Sequence, residues 1–133
     1  MEPGVAVKAF IVDGEGKLLI VKRADDDIHM PNVWEIPGGR LDNGEDPFEG
    51  LKRETKEEVG LDIEIIMPIN VHYFTREDSQ VITLITFWCK PISKEVKLSY
   101  EHTEYEWAAL EDAYKKMNTE LKSDISIFRN YLT

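Results

Sequence analysis

Three glutamates, Glu54, Glu57 and Glu58, are spaced so that a helix would bring their carboxylates within one turn of each other. Their charges repel, and Glu57 and Glu58 fall in the last turn, where the helix dipole disfavours acids by about 0.3–1 kcal/mol each. Helix stability therefore does not explain the cluster, whereas a bound divalent cation does. The stretch from Gly39 to Leu61 contains no His or Cys. Oxygen ligands favour Mg²⁺ or Mn²⁺ over zinc.

The helix that would carry these acids has clear end signals. Asp46 suits the N-cap, Pro47 suits the first helical position, and Gly60 suits the left-handed residue that follows the last turn. These signals predict a helix of about 13 residues, or roughly 20 Å. The apolar positions predict that one side faces the core, and that side consists of Phe48, Leu51 and Val59.

Arginines beside the acids suggest two further roles. Arg53 can pair with Glu57 one turn later or with Glu45 before the helix, and such an ion pair would hold a metal ligand in one rotamer. Arg23 and Arg40 flank the acidic stretch and are candidate phosphate contacts. The alternative, a solvated acidic helix, would normally alternate the signs of its charges, whereas here like charges cluster.

The spacing of these residues resembles the signature of the Nudix hydrolases. That signature reads Gly, five residues, Glu, seven residues, Arg-Glu, an aliphatic, any residue, Glu-Glu, any residue, Gly and an aliphatic. Thr55 occupies the first aliphatic position and is the only departure. The matching residues are Gly39, Glu45, Arg53, Glu54, Glu57, Glu58, Gly60 and Leu61.

The resemblance implies a set of roles for individual residues. Glu54, Glu57, Glu58 and the Gly39 carbonyl would bind Mg²⁺ or Mn²⁺, and Glu45 with Arg53 would orient them. In the family an acid in a loop near the segment from Glu101 to Trp107 often serves as general base or as an extra metal ligand. We expect Glu104 rather than Glu101 in that role, and Glu54 on the helix remains a third candidate.

The resemblance also implies the reaction, which is metal-dependent hydrolysis of a nucleoside diphosphate linked to another group. Members act on nucleoside triphosphates, ADP-ribose, sugar nucleotides or dinucleoside polyphosphates. A proline or a tyrosine downstream of the motif marks two of these specificities, and Glu77 and Ser79 stand near those positions here. We therefore favour a nucleoside triphosphate. A nucleotide-sensing module without activity is an alternative, but such a module would be expected to lack one of the metal carboxylates.

Composition bounds the remaining possibilities. A chain of 133 residues suits one domain, residues 1–133, and its net charge of −10 argues against binding nucleic acid or anionic membranes. Cys89 is the only cysteine, and neither a secretory leader nor a long apolar segment is recognisable, so we expect a cytoplasmic protein. The expected partner is a small nucleotide, and a homodimer is left open.

The order of elements predicts the architecture. Apolar runs at 5–12 and 17–23 predict a β-hairpin, Trp34 begins a short strand that ends at the two glycines, and strands at 61–74 and 80–90 predict a second hairpin. A short strand within 91–100, a strand at 106–110 and two closing helices complete the chain. We predict an α+β fold, an α/β/α sandwich with a mixed sheet flanked by helices, which is the Nudix fold by resemblance.

Overall fold

The computed structural model describes residues 2–133 of the chain. Within that range the chain forms seven strands and three helices. In chain order they are β1 Gly4–Ile11, β2 Leu18–Arg23, β3 Trp34–Glu35, β4 Gly38–Arg40, α1 Pro47–Val59, β5 Ile63–Thr75, β6 Val81–Pro91, β7 His102–Ala108, α2 Leu110–Lys116 and α3 Thr119–Tyr131. None of the helices in residues 2–133 has the length and apolar character needed to cross a membrane.

The strands form two sheets, with the orders β4-β1-β6-β5 and β3-β2-β7. The pair β1 and β6 is parallel, whereas the other pairs are antiparallel. One buried cluster joins α1 to both sheets, and a second packs α2 and α3 against the opposite side. The predicted α+β architecture, with helices flanking a mixed sheet, is confirmed, although the strands are divided between two sheets.

The predicted hairpin of the first two strands is wrong. A tight turn does join them, since the Asp13 N–H donates to the Lys17 carbonyl at 2.9 Å, but within residues 2–133 only one bridge, between Val12 and Leu18, pairs their ends. Each strand is instead a central strand of a different sheet. Both faces of each strand carry buried apolar residues, which two packed sheets can cover. Strands β3 and β4 likewise belong to different sheets, and the turn at residues 36–37 connects the two strands.

Helix α1 begins and ends where its capping residues predict. The Asp46 carboxylate accepts the N–H groups of Phe48 and Glu49, and Gly60 adopts a left-handed φ of 73°. The predicted apolar side is partly wrong, because Phe48 is half-exposed. The buried side includes Leu51, Thr55 and Val59, and the Thr55 hydroxyl donates to the Leu51 carbonyl at 2.7 Å. That bond satisfies the hydroxyl, so threonine fits where the signature has an aliphatic residue.

The second half of the chain differs from prediction in one segment. Strands β5 and β6 form the expected antiparallel hairpin, with register shifts around Pro68 in place of a break. The short strand predicted within 91–100 is absent from the described residues, where residues 92–101 run as an irregular segment. Backbone bonds hold that segment against α1, from Lys97 N–H to the Val59 carbonyl and from Ser99 N–H to the Glu58 carbonyl. These bonds bring the start of β7 close to the acidic helix.

Candidate metal and catalytic site

The start of β4 lies directly against the acidic face of α1. The Gly38 N–H donates to Oε2 of Glu58 at 2.8 Å. A Cβ added at Gly39 would lie 2.8 Å from Oε2 of Glu54, closer than real side chains approach. Glycine at position 39 therefore allows its backbone to approach the Glu54 carboxylate, and the fold places the start of β4 against two of the predicted ligand residues, Glu54 and Glu58.

Arg53 organises the acids around it. Its Nε and Nη2 donate to both oxygens of Glu45 at 2.7 and 2.9 Å, which is a bidentate pair. Its Nη1 lies 3.3 Å from Oε1 of Glu54 and 3.2 Å from Oε2 of Glu57. The hydrogen bonds from Arg53, together with the Asp42 N–H, lower the pKa of Glu45 to about 2. Glu45 therefore neutralises the charge of Arg53 and fixes its position, and Arg53 in turn pairs with Glu54 and Glu57 on the helix.

Two carboxyl groups of the helix, those of Glu54 and Glu58, are harder to ionise than ordinary glutamates. Burial raises the pKa of Glu58 to about 7, against the opposing effect of Lys8 and the Gly38 N–H. Burial also raises the pKa of Glu54, and the negative charges of Glu57 and Glu101 add to that increase while Arg53 opposes it. The neighbouring positive charges are thus insufficient to stabilise the ionised forms of both carboxyl groups. A bound divalent cation would supply the additional positive charge.

These residues fit a hard cation such as Mg²⁺ or Mn²⁺. Their donor atoms are all oxygens, and Mg²⁺ usually takes one or two carboxylates together with waters and substrate phosphates. Among residues 2–133 no three acidic, His or Cys side chains converge closely enough to enclose an ion by themselves. Arg53 lies between Glu54 and Glu57, so an ion shared by those two acids requires Glu57 to turn from the guanidinium. The Glu57 side chain is 59% exposed and has room to do so.

The two candidate bases have different surroundings. Glu104 lies within β7 opposite Lys22 of β2, and its carboxylate accepts from Lys22 Nζ at 3.2 Å. Glu101 directly precedes β7, and its charge is one of those that raise the pKa of Glu54. Sequence reasoning preferred Glu104, whose carboxylate pairs with Lys22, whereas the tether of residues 97–99 to α1 brings the backbone before β7 toward the acidic helix.

The two candidate phosphate contacts also differ. Arg23 is engaged within the protein, with Nη1 2.8 Å from Oδ2 of Asp27 and Nε 3.1 Å from Oε2 of Glu35. Arg40 extends into a shallow cavity of about 300 Å³, where its Nη1 donates to Oε1 of Gln80 at 3.0 Å. It has no ion-pair partner among residues 2–133. Arg40 is therefore the better placed of the two for an anionic ligand.

Sequence reasoning missed a buried charged network behind the site. Glu35 accepts from Lys8 Nζ at 3.1 Å and from His102 Nε2 at 2.8 Å, and Arg23 lies on its other side. Burial opposes ionisation of Glu35, but Lys8, His102 and Arg23 together lower its pKa to about 2. The available signal was the presence of Lys8 and Glu35 inside otherwise apolar strands, because isolated charges seldom occupy such positions without a partner.

Comparison with known proteins identifies one domain family and several relatives. A model of the NUDIX domain matches residues 2–129. A MutT-like protein of Streptomyces ambofaciens is 31% identical over 113 residues, covering 85% of this chain and 68% of that protein. Nucleoside triphosphatase NudI of Escherichia coli O139:H28 is 31% identical over 114 residues, covering 77% of this chain and 79% of that protein.

Solved structures extend the likeness to the whole fold. The crystal structure of MutT protein from Methanosarcina mazei Go1 superposes with a TM-score of 0.87 at 26% identity, over 99% of this chain and 98% of that one. The domain match covers nearly all of the described residues, including the acidic helix α1. The chain therefore belongs to the Nudix family, and it is a hydrolase that acts on a phosphoanhydride bond.

Proposed function

We propose that this chain is a Mg²⁺- or Mn²⁺-dependent pyrophosphohydrolase whose substrate is a nucleoside diphosphate linked to another group, with nucleoside triphosphates favoured. The observation that carries the proposal is the approach of Gly39 to Glu54 beside the buried Glu58. This arrangement concentrates oxygen ligands in surroundings that raise the pKa of two carboxyl groups. A cation can bind there and draw in an anionic substrate despite the net charge of −10.

The preference for nucleoside triphosphates has two supports. NudI, 31% identical to this chain, is named a nucleoside triphosphatase. The chain also carries Glu77 and Ser79 near the positions where a proline or tyrosine marks other Nudix specificities. ADP-ribose and sugar nucleotides are the alternative substrates.

The residue roles follow from charge and position. Glu54, Glu57, Glu58 and the Gly39 carbonyl would hold the cation, which supplies charge neutralisation at the phosphates and a more acidic bound water. Arg53 orients Glu54 and Glu57, and Glu45 fixes Arg53 through its bidentate pair. Arg40, which lines the cavity, would contact a phosphate of the substrate.

Glu101 is the proposed general base, which accepts the proton of the attacking water. Support comes from its exposure, which leaves it free to meet a substrate, and from its electrostatic influence on Glu54. Glu104 is the second choice because its carboxylate already pairs with Lys22. A general base contributes about 10²–10⁴-fold to rate, so the assignment has a measurable consequence.

A substrate panel tests the proposed function. Purified protein is assayed against nucleoside triphosphates, ADP-ribose, sugar nucleotides and dinucleoside polyphosphates, with Mg²⁺, with Mn²⁺ and with EDTA, and the products are identified by chromatography. We expect hydrolysis of a nucleoside triphosphate that EDTA abolishes. Hydrolysis of ADP-ribose or a sugar nucleotide alone would overturn the substrate preference, and undiminished activity in EDTA would overturn the metal requirement.

A further inference from the structure

His102 joins the start of β7 to a buried charge. Its side chain is 1% exposed, and its Nε2 lies 2.8 Å from Oε2 of Glu35. Because the low pKa of Glu35 keeps it ionised, its carboxylate accepts the bond and the imidazole Nε2–H donates it. Hydrogen bonds to an ionised group are stronger than neutral ones, and burial strengthens them further.

We propose that His102, through this bond to Glu35, is a positioning residue that holds Glu101 beside the acidic helix. The inference rests on the proposed function, in which Glu101 is the general base. Within residues 2–133 no ion pair holds the Glu101 carboxylate, so the position of that carboxylate depends on the backbone that carries it. His102 is the next residue along that backbone.

Besides local hydrogen bonds to Ser99, three contacts attach the backbone around Glu101 to other elements of the fold. Ser99 N–H donates to the Glu58 carbonyl at 3.0 Å, which ties the segment to the last turn of α1. The Glu101 carbonyl accepts from Ala24 N–H at 2.9 Å, which ties it to the end of β2. The His102 side chain supplies the third attachment. It is the only one of the three made by a side chain, so substitution can remove it without altering the backbone.

Glu35 is a suitable anchor because it is itself fixed. Lys8 Nζ donates to both Oε1 of Glu35 and the Ile36 carbonyl at 3.1 Å, and Arg23 pairs with Oε2. Glu35 is also only three residues before Gly38, whose N–H binds Glu58. A single rigid group therefore connects the residue after Glu101 with the turn that contacts two of the proposed metal ligands.

A pair of amide substitutions at position 102 separates this role from simple packing. In His102→Gln the amide nitrogen can reach the position of Nε2, whereas in His102→Asn it ends near the position of Nδ1 and falls short of Glu35. Both variants are polar and fill a similar volume. We expect kcat of His102→Asn to fall about tenfold or more with KM within about threefold of the wild-type value, and His102→Gln to retain most of kcat.

A double-mutant cycle with Glu101→Gln then asks whether His102 acts through Glu101. If it does, adding His102→Asn to Glu101→Gln lowers kcat no further, because the base is already absent. An equal loss of kcat in both backgrounds would overturn the proposal, since the two residues would then act independently. Equal losses from His102→Gln and His102→Asn would also overturn it.

Two measurements keep the result independent of folding and of the proposed reaction. Asn118→Ala, which removes the side-chain acceptor of the Leu121 N–H at the start of α3, serves as a destabilised control and should retain its kcat. Amide hydrogen exchange at Ala24, whose N–H binds the Glu101 carbonyl, should be faster in His102→Asn than in His102→Gln. Failure of the wild type to hydrolyse any nucleotide would overturn the proposed function alone, whereas identical exchange in the two variants would overturn the positioning role.

Discussion

The backbone N–H of Gly38 and Oε2 of Glu58, 20 residues apart in sequence, form a hydrogen bond of 2.8 Å. It joins the first residue of β4 to the last turn of α1, so the backbone beside Gly39 is held against the helix. The bond favours the charged carboxylate, yet burial outweighs it and raises the pKa of Glu58 to about 7. Ionisation of Glu58 therefore destabilises the fold, and under the proposed function a bound cation would offset that cost.

The first prediction is that Glu58→Gln removes a pH-dependent loss of stability in EDTA. A raised pKa means that the folded state keeps a proton that the unfolded state has lost, so wild-type stability falls as pH rises from about 4.5 to about 7. Glutamine does not titrate, and its carbonyl can still accept the Gly38 N–H. Urea unfolding should show a variant that is more stable than wild type at pH 8 by about 1–3 kcal/mol. An equal fall in both proteins would show that Glu58 does not cause it.

The second prediction is that Gly39→Ala weakens metal binding and activity. The added Cβ would lie 2.8 Å from the Glu54 carboxylate, so Glu54 or the strand must move. Gly14→Ala is the matched control, because a Cβ at that turn position meets no atom within 4 Å. We expect Gly39→Ala to lower kcat/KM by about tenfold or more while Gly14→Ala has little effect. Equal activity of the two variants would contradict the close approach of Gly39 to the reacting centre.

The third prediction is that Mg²⁺ or Mn²⁺ raises the melting temperature and that EDTA reverses the change. A cation that binds only the folded protein stabilises it by about 2.7 kcal/mol at one hundred times its Kd. Glu57→Gln should show a smaller increase, because it removes an exposed carboxylate that can turn toward the ion. Calorimetric melting at several metal concentrations measures both effects. An unchanged melting temperature in wild type would mean that metal binds only together with substrate.

Local signals predicted the acidic helix well because its ends are set by its own residues. Asp46 caps its first turn, and Gly60 supplies the left-handed residue at its end. The acids at 54, 57 and 58 then share a face as a consequence of helical geometry. Phe48 departed from prediction and is half-exposed. Helical spacing predicts which side of the helix a residue lies on, but it does not predict how much of that side the rest of the fold buries.

Relationships between distant segments could not be predicted in this way. The sequence shows that β1 and β2 are apolar and joined by a turn, but not that each lies at the centre of a different sheet. The tether of residues 97–99 to α1 consists of backbone bonds, which carry no signal in side-chain identity. The choice of general base between Glu101 and Glu104 depends on that tether, so the sequence alone provides no basis for choosing between these two acids.

The last prediction separates those two acids. Glu101→Gln should lower kcat by about 10²–10⁴-fold with little change in KM, which is the loss expected for a general base. Glu104→Gln should have a much smaller effect on kcat, because the Glu104 carboxylate is already paired with Lys22 on the neighbouring strand. Loss of that pair should also leave the fold intact, since surface ion pairs contribute about 0–1 kcal/mol to stability. Both variants are measured with saturating substrate and one metal concentration, and their folding is checked by thermal melting. A larger loss in Glu104→Gln would restore it as the base, and small losses in both would move the role to Glu54, which burial and neighbouring acids already make more basic than an ordinary glutamate.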